Sequence, residues 1–460
     1  MTLRALNPES KLPDCVLVGA VERIVPRETI EAVFEETGAR TPRKRKLNLP
    51  FVALWLILLN LFRHLAYTEV LEEMAGEIDL QGYSPDFRLP TAGALVYRRH
   101  QLGVRPMAAL FHRICRPIAT PKTRGAFRFG LRLMAFDGSV EDVPDTPANE
   151  KAFGRHSTDR GNAAFPQLLG VYLIECATHV IVDAGFWPCH TSEEVGVRRL
   201  LRSVVAGMLV MWDRGLQSYD LLRAVRDRGA HGLGRLPINV KPTWIRTLPD
   251  GSWLAWLMPS DRSRRKAGER MLVRIIEYTI TNPKLSGYGE IHRLVTTLLD
   301  PEQAPARELV LCYHERWEIE LVIDEVDVHQ RLANQPLRSQ DPQGVLQELY
   351  ALLLSHYVIR SLMHETAVRE DLDPDRLSFT HALRVIQRSV PLFQLAALEE
   401  WPGLFERLMK QIANGRLPER RFRSNARVVK RKMSNFPLKR PEHRPGVKLD
   451  GNFGQAFALI

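Results

Sequence analysis

The sequence predicts a mixed α/β fold from three observations. Apolar helical runs fill residues 1 to 125, short apolar strands alternate with helices from 126 to 365, and a helical and then strongly basic region closes the chain from 366 to 460. The 460 residues, 45% hydrophobic and 25% charged, can bury a sizeable core. Collagen, coiled-coil and wholly disordered readings are excluded by that composition, and a small cross-linked scaffold by the length.

Val16 to Gly38 reads as two short helices divided by Pro26, with Gly38 as the stop. The run Phe51–Leu61 (FVALWLILLNL), preceded by the basic tract Arg43 to Lys46, is shorter than the roughly 20 apolar residues of a membrane crossing. It predicts a buried core helix and no membrane partner. A secretion signal would need a basic start and an apolar core, which the N-terminus lacks, so a cytoplasmic protein is expected. Thr91 to Cys115 predicts a helix pair broken at Gly103 and Pro106 and carrying Arg98, Arg99 and His100. Such a pair suits either a helix-turn-helix-like reader of DNA or plain packing.

From residue 126 the periodicity changes to that of strands. Leu131 to Phe136 predicts a strand ending at Asp137, Leu168 to Cys176 and His179 to Gly185 a strand pair, and Met208 to Trp212 a fourth strand ending at Asp213. Helices are expected over Glu193 to Val205 and Tyr219 to Arg228, and Pro237 to Val240 offers a fifth strand. That order has the outline of a ribonuclease H-like mixed sheet with flanking helices. Residues 242–300, with a turn at Pro249, Asp250 and Gly251 between tryptophan-bearing runs, predict a β-rich insertion ahead of a helix from Pro305 through Val328. An apolar helix over Val345 to Met363 follows.

Basic residues exceed acidic ones by 11, which calls for a polyanionic partner. Most of the excess lies in the tail, where Arg416 to Lys448 holds twelve lysines and arginines against two glutamates. A charge run is commonly only a solvated face. One this one-sided, interleaved with Phe422, Phe436 and prolines, suits an arm along phosphates through Arg427, Lys430, Arg431, Lys432, Lys439 and Arg440. The five cysteines form no C-x-x-C pair and read as reduced, buried thiols. Cys189 and His190 are adjacent, and on a strand adjacent side chains point to opposite faces, which argues against joint chemistry.

Three carboxylates are candidates to carry the chemistry. Asp137 (MAFDGS) and Asp213 (VMWDRG) each follow a buried apolar run, although a strand-end aspartate is also an ordinary turn former. On a continuous helix, Tyr313, Arg316 and Glu320 fall within about 60° of one another, on one face. Asp137, Asp213 and Glu320 together suit a pair of magnesium ions, hard cations that take carboxylates and water and promote displacement at a phosphodiester. Arg316 could then grip a phosphate as a bidentate donor.

With these residues the sequence resembles the DDE transposases of bacterial insertion sequences, specifically the insertion-sequence-4 family, over almost its whole length. The family signature Y-x2-R-x3-E-x6-K aligns with Tyr313, Arg316 and Glu320 inside YHERWEIEL. FDGSVEDVPDTPANEKAFG matches the first aspartate block and DRG the second. FPQLLGVYLIECATH, LRSQDPQGVLQELYALLLSHYVIRSLM and the basic VVKRKMSNFPLKR are further matches in the same order. The intervals of 76 and 107 residues between the three acids leave room for the insertion that this family places before its glutamate helix.

The resemblance implies a helical N-terminal DNA-binding domain over 1–125, a catalytic domain over 126–365, and cut-and-paste transposition of double-stranded DNA. The chemistry would be cleavage at terminal inverted repeats and strand transfer into a target, with Mg2+ replaceable by Mn2+. It further implies self-association in a synaptic complex, work on the bacterial nucleoid, and DNA contact near the cleaved end by Tyr313 and Arg316. Trp244, Trp253 and Trp256 are candidates for stacking on a displaced base or, alternatively, for core packing. One position departs from the pattern: Asp327 stands where the signature has lysine, which leaves three readings open, a nearby basic residue such as Arg331 as substitute, a subgroup variation, or decayed activity. The alternatives are a nuclease that cuts without integrating and a decayed or domesticated DNA-binding protein of the same fold.

Overall fold

The computed structural model describes residues 18–39, 47–80, 89–158, 161–316, 318–331, 336–418, 423–424, 438, 440–441, 447–449 and 451–460. The chain forms two compact units. Residues up to Phe127, Ala135–Ser203 and Glu318–Arg416 make the first; Arg128–Met134, Val204–Trp317 and Leu417–Ile460 make the second.

In the first unit the apolar run becomes the helix Leu49–Leu61, as expected. Its start is fixed by Asn48, whose side chain accepts from the Phe51 N–H at 2.8 Å, and by Pro50 in the first turn. Every residue from Phe51 to Leu61 is buried, because a helix apolar on all sides has no face to give to water. The helix pair is present as Ala92–Leu102 and Val104–Ile114, joined at Gly103, whose φ of 73° lies in the left-handed region. Arg98 and Arg99, however, are buried. Arg98 donates to the Leu47 carbonyl at 2.9 Å; Arg99 donates to Gln347 at 3.0 Å and Ser339 at 2.8 Å. Of the two readings of this pair, packing holds for both arginines.

A 28-residue helix, Pro342–Arg369, runs through the unit and is buried over most of its length. Several of its buried charged residues are paired. Glu348 pairs with Arg63 at 2.5 Å and accepts from the Ser339 N–H at 3.0 Å, and Arg360 donates to Glu325 at 2.8 Å. The sheet of this unit runs in the order Ile181–Pro188, Gln167–Glu175, Leu131–Asp142, the first two antiparallel. Asp137 does not end its strand, as the sequence suggested. The strand continues through it to Asp142, with Leu133 to Phe136 buried and Asp137 half-exposed. Cys189 and His190 lie in the turn after Pro188, so strand alternation does not govern them.

In the second unit, the opening residues of Leu131–Asp142 lie beside Met208–Trp212, with the Arg132 N–H donating to the Gly207 carbonyl at 2.9 Å. Met208–Trp212 pairs in parallel with His231–Arg235, and antiparallel strands Ile291–Thr296, Met271–Ile280, Trp253–Leu257 and Thr243–Thr247 extend the sheet. The expected β insertion is therefore continuous with the sheet. The fifth strand is HGLGR at 231–235, and Pro237 to Val240 forms a turn instead. Two glycines hide that strand from propensity, and packing requires them. A Cβ at Gly232 would lie 2.6 Å from the Trp212 indole and one at Gly234 would lie 2.5 Å from its Nε1. The indole crosses the neighbouring strand there, and its N–H donates to Gln217 at 2.8 Å.

The end of the chain is anchored in the same sheet. Phe457–Leu459 pairs with Tyr278 to Ile280, and Phe453 stacks on His314 at 3.7 Å between ring centroids. Burial lowers the His314 pKa to about 4, so the stacked imidazole is neutral.

Because the Trp212 indole occupies the space of two missing side chains, Gly234→Ala should destabilise the protein by about 1–3 kcal/mol through overpacking. Gly93→Ala, whose added methyl meets only the Thr91 hydroxyl at 3.9 Å, should not destabilise it. Denaturant unfolding of the two variants checks this, and equal midpoints would remove the packing role of Gly234.

Candidate active site

The second unit brings three of the sequence-predicted site residues together. Asp213 follows the fully buried strand Met208–Trp212, and its Oδ1 accepts from the Leu216 N–H at 3.0 Å. Gly215 lies so close that a Cβ there would sit 3.3 Å from that same oxygen. The turn-forming and site-forming readings of this aspartate are thus both met. Tyr313, on the helix Ala306–Glu315, donates its hydroxyl to the Trp212 carbonyl at 3.3 Å, one residue before Asp213. Burial, and next the charges about it, push the Tyr313 phenol up: Arg316 opposes the shift and Asp213 adds to it, so Tyr313 stays protonated and a donor.

Arg316 is buried, with its guanidinium 5.8 Å from the Tyr313 ring centroid. Its Nε has no hydrogen-bond partner among the described residues. A buried guanidinium N–H without an acceptor is costly, and a phosphate oxygen is the acceptor it fits best.

Asp137 and Glu320 belong to the first unit. Asp137 accepts from the Gly138 N–H at 3.0 Å, and a Cβ on Gly138 would lie 3.0 Å from the carboxylate of Glu193, a nearby acid the sequence did not single out. Glu320 is exposed on Glu318–Asp324. The long helix expected from Pro305 through Val328 is thus divided: Ala306–Glu315, then Glu318–Asp324, then a π-helical turn Glu325–Gln330, with Trp317 outside the described residues. The shared face of Tyr313, Arg316 and Glu320 assumed one unbroken helix. It holds here for Tyr313 and Arg316, which lie in the same unit.

Asp327, at the lysine position of the signature, falls in the π turn. It accepts from Ser139 at 3.3 Å and pairs with Arg331 at 3.2 Å, while Arg331 is buried and also paired with Glu141. Arg331 is therefore engaged inside the unit and is not placed as a surface substitute for the lysine. Trp244 is 60% exposed; Trp253 is half-buried; Trp256 is half-buried beneath the Arg270 guanidinium at 4.4 Å. Arg427, Lys430, Arg431, Lys432 and Lys439 lie outside the described residues, and Arg440 is exposed.

The donor chemistry is uniform. Asp137, Asp213 and Glu320 offer only carboxylate oxygens, and no thiol or imidazole accompanies them among the sequence-predicted site residues, a set that fits a hard divalent cation.

Residues 16–112 match the family described as insertion element 4 transposase N-terminal, and residues 128–358 the family described as transposase DDE domain. The chain is 30% identical over 424 residues to InsG, the transposase for insertion sequence element IS4 of Escherichia coli strain K12, across 89% of this chain and 91% of that one. A more distant likeness is to the piggyBac transposase in a cryo-EM synaptic complex with hairpin DNA, at 11% identity and a TM-score of 0.45 over 92% of this chain and 89% of that one. With a DDE domain over half its length and a relative matched nearly end to end, the chain belongs to the insertion-sequence-4 family of DDE transposases.

Proposed function

We propose that this transposase moves its insertion sequence by metal-dependent cleavage at the terminal inverted repeats and strand transfer into target DNA. The observation that carries the reading is the grouping of Asp213, Tyr313 and Arg316. A fixed carboxylate, a protonated phenol and an unsatisfied guanidinium N–H stand within one unit, the set that a phosphodiester beside a bound cation requires. Asp137, Asp213 and Glu320 would hold the ions, Mg2+ or in its place Mn2+. Bound there, such ions supply Lewis-acid activation of the attacking oxygen and stabilise the leaving one. Arg316 grips the phosphate, and Tyr313 orients the turn that carries Asp213.

Double-stranded DNA is the partner, met by the N-terminal helical region, by Tyr313 and Arg316, and by the basic tail. Joining two element ends calls for self-association in a synaptic complex. The reaction belongs with chromosomal DNA in the bacterial cytoplasm, and no helix among the described residues is long and apolar enough to cross a membrane.

The direct test is a labelled duplex carrying the terminal inverted repeat, incubated with Mg2+ or Mn2+. Asp137→Ala and Glu320→Ala should abolish nicking at the repeat boundary while leaving binding intact, and Arg316→Ala should slow it by roughly 10²-fold or more. Unchanged cutting by either carboxylate variant would remove the site assignment, and binding without cutting by the unaltered protein would favour a decayed DNA-binding derivative.

The tail needs a gentler test than deletion, because removing everything past Arg416 would also remove the strand Phe457–Leu459 from its sheet. Changing Arg427, Lys430, Arg431, Lys432 and Lys439 to alanine should weaken DNA binding and reduce the slope of log affinity against log salt by up to about 4. An unaltered slope would show that these residues do not contact phosphates.

Asp327 serves the fold rather than the DNA. Burial, and then the neighbouring Glu141, raise its pKa to about 7 against the opposing pull of Arg331. A carboxyl raised in the folded state binds its proton more tightly there than in the unfolded chain. Its ionisation therefore lowers stability progressively as pH rises from about 4 to about 7. Asp327→Asn, which mimics the protonated acid, should gain in melting temperature relative to the unaltered protein by roughly a few degrees between pH 5 and pH 8. A difference independent of pH would show that Asp327 titrates normally.

A further inference from the structure

His156, Cys189 and His190 lie apart from the carboxylates in sequence and in chemistry. One ligand atom from each approaches the other two within 4.8 Å. The grouping follows from the backbone. The helix Pro147–Phe153 stops at Gly154, whose φ of 81° releases the chain toward His156. The Phe153 carbonyl accepts from the Cys189 N–H at 2.8 Å, which fastens this helix end to the turn after Ile181–Pro188. Gly154 and His156 are held in turn by the N–H groups of Gln167 at 2.9 Å and Ala163 at 2.8 Å, and the turn closes by a Thr191 N–H to Pro188 bond at 2.9 Å.

Gly154 also leaves the room that the Cys189 and His190 side chains use. A Cβ there would stand 3.3 Å from the Cys189 sulfur and 3.3 Å from Cδ2 of His190. The two imidazoles meet edge to face, 5.5 Å between centroids and 79° between planes, so they do not stack and their ring nitrogens can turn to a common point. Cys189 is buried, His156 half-buried and His190 exposed, which grades the cluster from a dry sulfur to a wet imidazole.

We infer that His156, Cys189 and His190 form a binding site for a single zinc-class divalent ion, with three protein ligands and the fourth position open to solvent. One thiolate and two imidazoles are the borderline-soft donors that zinc prefers at tetrahedral geometry. Magnesium and manganese prefer the carboxylates instead. Burial raises the pKa of the Cys189 thiol, so without metal it is protonated, and binding releases that proton to solvent as the sulfur–metal bond forms. The ion would link the end of Pro147–Phe153 to the turn that leads into Glu193–Leu200 within the first unit, and its open fourth position would take water or an exchangeable ligand.

Cobalt(II) chloride, added to full-length protein stripped with a chelator, is the probe. The expected result is a thiolate-to-cobalt charge-transfer band that saturates at one equivalent, is erased by zinc and resists excess magnesium. Cys189→Ser should lose the band. His190→Gln, at an exposed position that folding does not need, should bind cobalt about tenfold more weakly or worse, since even outer-shell changes cost that much. Asp137→Ala should keep the band, which separates this site from the carboxylates. Absence of the band in unaltered protein with a native circular dichroism spectrum would overturn the inference, as would an undiminished band in Cys189→Ser or undiminished affinity in His190→Gln.

Discussion

The first unit is organised by the need to satisfy charge on a helix that water does not reach. Pro342–Arg369 carries Gln347, Glu348, His356, Arg360 and His364 among its buried residues. Breaking one such pair strands the other charge and costs about 3–5 kcal/mol, so each partner has to arrive from elsewhere in the chain in the right place. Arg63 and the segment at Arg338 and Ser339 converge on Glu348; Arg99 binds Gln347; Thr123 meets His364 at 3.0 Å. Farther along the helix, Arg360 and His356, together with His179, surround Glu325. Burial alone would raise the Glu325 pKa; the Arg360 charge, and then hydrogen bonds with His179 and His356, hold it well below the usual carboxylate range. Glu325 opens the π turn five residues after Glu320. The exposed candidate acid Glu320 therefore lies one short helix away from a buried, ionised one, and π turns inside helices are frequent near functional sites.

Much of this was legible in the sequence wherever burial wrote a continuous pattern. FVALWLILLNL, MLVMW and LLGVYLIEC occur as the helix and strands that their apolar runs predict, because such runs can only be buried. Asp213 was legible for the same reason: a charge directly after five buried residues marks the end of a strand. Pattern failed where a residue serves a neighbour rather than itself. HGLGR reads as a loop until the Trp212 indole is seen to need both glycines. Arg98 and Arg99 read as a basic face until their carbonyl and amide acceptors are known. Asp137 reads as a terminator, yet the strand passes through it because the backbone beyond still has a partner: the Val143 N–H meets the Pro166 carbonyl at 3.0 Å. The division between Ala306–Glu315 and Glu318–Asp324 and the π turn at Glu325–Gln330 are both invisible to a 3.6-residue period, which counts faces and cannot see where the helical geometry changes.

The lysine position shows how a local substitution is absorbed. A lysine would project a solvated charge from the helix. Asp327 instead turns inward to Ser139 and Arg331, and Arg331 is drawn into the buried pair with Glu141. The charge of Asp327 is thus met by side chains of its own unit, while Asp213, Tyr313 and Arg316 belong to the other. Asp327 lies in the packing of the first unit, bonded to Ser139 on the strand that carries Asp137, while Asp213 is held in the other unit.

Two metal chemistries can coexist in one chain only if their ligands do not compete. The carboxylates at Asp137, Asp213 and Glu320 are half-buried or exposed and purely oxygen-donating, suited to ions that bind loosely and keep water. The group at His156, Cys189 and His190 is built on backbone clips, with a buried sulfur at its centre. A soft donor there selects against magnesium by chemistry rather than by geometry. Fastening Pro147–Phe153 to the turn before Glu193 acts on the same stretch of chain that brings the Glu193 carboxylate against Gly138.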